Sequence, residues 1–212
     1  MNGKTTSRYL SFCATLVLAL TLPLLLQGQW LPLTAQFKEL TYRTLPDGSE
    51  ELLEESVGVL FRASSGSEMR TRINVEDGQP TGRAHFKDAA TGNVYLINHD
   101  RKTARLMRQL PLPLLPSPFR VPPGSEPLGR RVINGVECVG KPVLVNGQLS
   151  PGGSWFSEDL QLIVKSDFTF PGGARLIREF FDFRQGEPSA SVFAIPEDYT
   201  ITNTSPVLGN KR

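Results

Sequence analysis

Two cysteines, two histidines, three methionines and two tryptophans in 212 residues leave little material for several kinds of chemistry. Two cysteines cannot staple a small disulfide scaffold. His85 and His99 have no Cys or His partners at ligand spacing, so neither a metal nor another cofactor is expected. No Gly-x-Ser-x-Gly nucleophile turn occurs. Strands alternating with long helical patterns, the grammar of a parallel sheet, are also missing. One stretch imitates a phosphate loop, Gly135-Val136-Glu137-Cys138-Val139-Gly140-Lys141-Pro142. It has Pro142 where a Ser or Thr would hold magnesium, and it runs on through Val143-Leu144-Val145 as a strand rather than opening a helix. Nucleotide binding is set aside on that ground. Glu50, Glu51, Glu54 and Glu55 bunch as a charged surface. Catalysis is not expected, and dispersed side chains gathered at strand ends are the one route left to it.

The N-terminus carries a targeting pattern. Lys4 and Arg8 form a short basic start, Leu10 to Leu26 is free of charge, and Leu33-Thr34-Ala35 offers a small-residue exit before Gln36. Residues 1–35 therefore read as a secretory signal peptide cut after Ala35, against the alternative of an uncleaved anchor. Residues 36–212 are then one domain, periplasmic or extracellular. All 21 acidic residues lie after Ala35, whereas two of the 23 basic ones leave with the leader. The mature chain is formally neutral, without the phosphate-facing surplus that a nucleic-acid partner requires. Cys138, alone after export, is expected to be an inert core thiol. Trp155 becomes the single remaining tryptophan and, as a strand-start aromatic, reads as core or as ligand contact.

What the mature chain has in abundance is period two. Met69 to Glu76, Val57-Val59-Phe61 and Leu160-Leu162-Val164 alternate with polar neighbours, and about ten such runs are separated by turn signals. Asn134-Gly135 and Asn146-Gly147 are the residue pairs that tight hairpins demand. The fold class is mainly β with minor helix: a curved antiparallel sheet of hairpins. Ser49–Ser56 and Pro188–Phe193 are expected to make one helical turn or two. His85 is expected on the solvent side. Arg70 and Arg72 share a strand face, either as a patch for an anionic ligand or as a solvated face answered by cross-strand carboxylates.

Gln109 to Pro127 departs from this pattern. Seven prolines bar it from a sheet interior, yet Leu110, Leu112, Leu114, Leu115, Phe119 and Val121 make it apolar. It reads as a cover packed over two runs of one sheet, 36–108 and 128–212, or as a plain tether.

Several phrases are familiar. Leu128-Gly129-x-x-x-Ile133-x-Gly135-Val136-x-Cys138-x-Gly140, Trp155-Phe156-Ser157-x-Asp159-Leu160 and Gly186-Glu187-Pro188 with the closing Phe193-x-Ile195-Pro196-x-Asp198-Tyr199 resemble a family of uncharacterised exported bacterial proteins, as does the Gly92–Ala104 hairpin. More distantly, the order of elements is similar to the LolA/LolB type of periplasmic lipoprotein carrier. That resemblance implies an open half-barrel whose concave face, closed by a covering segment, holds acyl chains. The expected function is a non-catalytic binder of a hydrophobic small molecule, lipid or lipidated chain, with Leu112, Leu114, Leu115, Phe119 and Trp155 as ligand-binding residues. The alternative is an envelope interaction module with a self-filled core and a protein partner.

Overall fold

The structure is a computed structural model that describes residues 30–112 and 124–203. Twelve strands form one sheet: β1 (Leu33–Thr44), β2 (Glu50–Arg62), β3 (Glu68–Ile73), β4 (Pro80–Lys87), β5 (Asn93–Asn98), β6 (Thr103–Gln109), β7 (Gly129–Ile133), β8 (Val136–Val145), β9 (Gln148–Ser157), β10 (Leu162–Thr169), β11 (Ala174–Gln185) and β12 (Thr200–Asn203). Their order is β12-β6-β5-β4-β3-β2-β1-β11-β10-β9-β8-β7. Two meanders, β2 to β6 and β7 to β11, are thus joined along β1, which pairs with β2 on one side and β11 on the other. Every pairing is antiparallel except β12 on β6. The sheet is curved and does not close, as the period-two pattern and the hairpin signals lead one to expect. Accumulated strand twist and bulges bend it; register shifts occur at Thr34/Gln36, Thr71/Arg72 and Ile163/Lys165, among others.

Local chemistry explains the turns. Asn134 and Gly135 both take positive φ (50° and 80°), and Asn146 and Gly147 do the same (50° and 81°), the geometry that matches hairpin twist. The phosphate-loop look-alike is the strand β8.

Of the two helical expectations, one changes and one is met. Ser49–Ser56 holds no helix: Glu50 onward is β2, pairing with β1 from Glu50↔Thr44. The acidic run is paired rather than merely solvated. Glu50 meets Arg175 (2.9 Å) and Glu55 meets Lys38 (2.8 Å), while Glu51 meets Arg43 and Glu54 meets Arg72. The C-terminal segment contributes one short 3-10 turn, Ala190–Phe193.

Apolar side chains are buried on different faces in the two halves. On one face Leu33, Ala35 and Phe37 of β1 pack with Leu60, Phe180, Leu162 and Leu160, the last from the β9–β10 turn. On the other face Met69, Ala84, Phe86, Ile97 and Ala104 are covered by Phe193, Ile195 and Tyr199 of the C-terminal segment. His99 fastens that cover. Its Nδ1 lies 2.9 Å from the Tyr199 hydroxyl and its Nε2 lies 3.1 Å from Thr71 Oγ1. The Thr71 hydroxyl donates to the Arg72 carbonyl, which leaves its oxygen to accept from Nε2–H and Nδ1 to accept from Tyr199.

Arg62 secures the first face. It is 1% exposed, and its guanidinium donates to the carbonyls of Leu31 (3.0 Å), Gln161 (2.8 Å) and Leu160. Trp30 lies over it, 5.4 Å from ring centroid to Cζ. Gln161 Oε1 in turn accepts from the Leu31 amide at 3.0 Å. The expected cut after Ala35 falls within β1. Leu33 and Ala35 are fully buried and paired with Arg62 and Leu60, so a cut after Ala35 would take two core residues from the central strand. The folded part already includes Trp30 and Leu31, and Trp155 is therefore not its single tryptophan. Residues 1–29 of the expected leader lie outside the described residues.

Replacing Arg62 with Ala leaves three carbonyls short of their donor and should cost about 3 kcal/mol or more at ~1 kcal/mol or above per buried acceptor. Arg62→Lys should recover only part, because an ammonium lacks the planar fork. Urea midpoints read this directly; wild-type midpoints in both variants would dismiss the clamp.

Candidate functional site

The change of buried face between β2 and β3 creates the site. Cross-strand register places Leu60 opposite Arg70, Arg70 opposite His85, and Gly58 opposite Arg72. The face that is apolar on β1 and β2 therefore continues across β3 and β4 as charge. Phe37, Glu39, Arg70, Arg72, Arg83, His85 and Arg178 line a cavity of about 190 Å³ there. Phe37 can lie flat along its wall because Gly58 has no side chain; a Cβ at Gly58 would stand 2.4 Å from the ring.

Glu39 is the acid of this basin. It accepts from Arg72 at 2.9 Å and from Arg178 Nε at 2.7 Å. Burial alone would raise its carboxyl, but Arg178 and then Arg72 outweigh that and hold it below the ordinary carboxylate range. Arg72 also pairs with Glu54. Arg70 differs: among the described residues its guanidinium makes neither a hydrogen bond nor an ion pair. Desolvation first, and Arg178 next, lower its pKa to about 10. His85 sits at the cavity's open side. Desolvation, Arg70 and Arg178 push it down to about 4, with Glu39 opposing and Arg72 adding to the effect. The solvent-side reading of His85 holds for its exposure, but its neighbours are cations. Of the two readings of Arg70 and Arg72, cross-strand carboxylates answer Arg72 alone.

A second cavity of about 240 Å³ lies over the β7–β8 hairpin, lined by Arg130, Arg131, Glu137, Cys138, Phe156 and Glu158, among others. Cys138 is 2% exposed and desolvation raises its pKa, which makes it the inert core thiol expected of it. No group of three or more His, Cys, Asp or Glu side chains suited to a metal occurs among the described residues.

The residues expected to bind ligand are scattered relative to these cavities. Trp155 is packed with the Ile133, Cys138 and Val164 cluster. Its ring covers Gly140, where a Cβ would stand 2.6 Å away, and Arg131 Cζ sits 3.5 Å from its centroid. It lines neither cavity. Leu112 is 51% exposed, at the β4–β5 turn near Gly92. Leu114, Leu115 and Phe119 lie outside the described residues. The sequence reading missed Glu39, Arg83 and Arg178 altogether, since nothing local ties them to Arg70; only the β1–β11 and β3–β4 registers do.

No family model matches the chain, and no curated protein matches it. Solved structures do. An uncharacterized conserved protein from Thermus thermophilus aligns at 8% identity and TM-score 0.47, over 79% of this chain and 90% of that one. A LolA superfamily protein from Nitrosomonas europaea aligns at 8% identity and TM-score 0.34, over 77% and 90%. A putative outer membrane lipoprotein-sorting protein domain from Vibrio parahaemolyticus aligns at 12% identity and TM-score 0.32, over 78% and 91%. The chain is similar to LolA-type proteins. A LolA superfamily protein and a lipoprotein-sorting domain are thus among the structures it is similar to, as the sequence resemblance leads one to expect.

The basin makes a pH prediction. His85 with a depressed pKa binds fewer protons folded than unfolded between about 6.5 and about 4, so its neutral form stabilises the fold above that window. The contribution is lost as pH falls through it. The stability difference between pH 7 and pH 4.5 should therefore be smaller in His85→Gln than in wild type. Equal acid sensitivity in urea titrations would contradict this.

Proposed function

We propose that the protein is an exported, non-catalytic binding protein. Its hollow sheet face holds a hydrophobic ligand, a lipid or lipidated chain, beneath the proline-rich connection. The observation that carries this reading is topological. Gln109 ends β6, second from one edge, and Gly129 begins β7 at the opposite edge, so one connection joins nearly the whole width of the sheet. Ten strand spacings of ~4.8 Å put those strands about 48 Å apart along the sheet. The connection is nineteen residues long, and Leu110, Leu112, Leu114, Leu115, Phe119 and Val121 make it apolar rather than polar, the composition of a cover rather than of a solvated linker. Exposed Leu144 and Leu149, paired across β8 and β9, and exposed Leu128 before β7 add apolar surface near where the connection arrives.

A second reading, an envelope interaction module, is favoured by the density of the first core, where Leu33, Leu60 and Phe37 fill their own space. Native mass spectrometry after gentle extraction separates the two. Co-purifying lipid supports the binder; an apo mass with a stoichiometric protein partner supports the module.

Substituting Leu112, Leu114 and Phe119 together by Ser should weaken uptake of an apolar fluorophore while far-ultraviolet dichroism keeps its strand signature. Uptake equal to wild type would remove the cover.

A further inference from the structure

The geometry points to a phosphoryl-anion site in the basin beneath Arg70, formed by Arg70, Arg83, Arg72, Arg178 and His85 at the edge of Phe37. Four guanidinium groups and one carboxylate line it, and Glu54 pairs with Arg72 from outside the lining, which leaves a surplus of two positive charges with His85 neutral. Glu39 is already engaged by Arg72 and Arg178. Arg70 and Arg83 make no hydrogen bond or ion pair among the described residues, which leaves two planar forks uncommitted in one concavity. Two such forks match a tetrahedral dianion, whose oxygens accept bidentate pairs. The space, about 190 Å³, equals about six waters at ~30 Å³ each, enough for the anion and part of what is esterified to it.

A solvated arginine face would be the plain alternative, and Arg70 argues against it. It is half-buried, Arg178 and Arg72 act on it as like charges, Glu68 and Glu39 offset them from beyond ion-pair distance, and burial still lowers its pKa. An unpaired cation held among like charges costs stability, and such arrangements concentrate where a ligand supplies the missing charge. The acid run of β2 does not supply it: Glu54 reaches Arg72 alone, and Glu50, Glu51 and Glu55 pair elsewhere. Phe37 borders the cationic floor on the side of the apolar core, so the anion can be free phosphate or the headgroup of a lipid whose first carbons touch that ring. The site does not depend on the apolar-ligand reading; a protein that took up no fluorophore would still bind phosphate here.

Calorimetric titration and thermal melting with inorganic phosphate and with dihexanoyl phosphatidic acid, a short-chain monomeric lipid, test the site. Wild type and Arg101→Gln, a charge control in the β5–β6 turn, should bind alike and melt higher with ligand. Arg70→Met should bind about tenfold more weakly or worse, while its ligand-free melting temperature equals or exceeds that of wild type because a like-charge clash is gone. A merely structural arginine would not show that opposition of binding and stability. Arg83→Gln, on the exposed rim, repeats the binding test without touching packed residues. Phosphatidic acid binding about tenfold tighter than phosphate assigns a lipid headgroup; equal affinities assign the free anion. If folded wild type binds neither probe, or if both arginine variants bind as wild type does, the site is overturned.

Discussion

One guanidinium fixes how the sheet is assembled. Arg62 stands at the end of β2 with almost no contact with water, and its donors reach carbonyls from the N-terminal arm and from the β9–β10 turn. Arg62 thereby ties the first meander to the N-terminal arm and to the second meander. Among the described residues no carboxylate forms an ion pair with it, and its charge is compensated by peptide dipoles, by the face of Trp30 and, at longer range, by Glu68 across the ladder. A buried arginine held this way is expensive to desolvate, and it tolerates little change in its surroundings. That intolerance makes the relative placement of Leu31, Leu160 and β2 specific. The core of Leu33, Leu60, Leu162 and Phe180 is the apolar consequence.

A single sheet has two faces to satisfy, and this chain satisfies them in different places. The Leu33–Phe180 core lies on one side of β1, β2 and β11, whereas the Met69–Ile97 core lies on the other side of β3 to β6 beneath the C-terminal cover. Where the change occurs, one face must pass from apolar to polar within a strand spacing. The cationic basin occupies that border. Its arginines are the residues left facing outward when the hydrophobic partners of β3 and β4 turn the other way. Its chemistry therefore follows from the sheet's organisation.

Much of the architecture was legible in the residues. Alternation in Met69–Ile73 and the Asn-Gly pairs located strands and turns because period two and positive φ are local properties; the same alternation continues to Val75, but β3 stops at Ile73 and Val75 is an exposed turn residue. The acidic run was misread for the same reason: Glu50 to Glu55 lacks apolar alternation, and its strand identity comes from cross-strand partners far away, such as Arg175. The small-residue exit at Ala35 coincides with a buried stretch of β1, where Ala35 stands opposite Leu60, a packing role that local sequence does not distinguish from a cleavage signal. The basin was half visible. Arg70 and Arg72 announced a shared face, but His85 read as solvent-facing, and Glu39 and Arg178 enter only through a register that local sequence does not encode.

The seam at β1 has a kinetic consequence. Its ladder to β2 closes over a short stretch of chain, whereas its ladder to β11 joins Phe37 to Phe180 and cannot form until nearly the whole polypeptide has emerged. Contacts of such long sequence separation slow folding. One flank of the first strand thus remains an unpaired edge throughout synthesis, open to the wrong partner until the eleventh strand arrives.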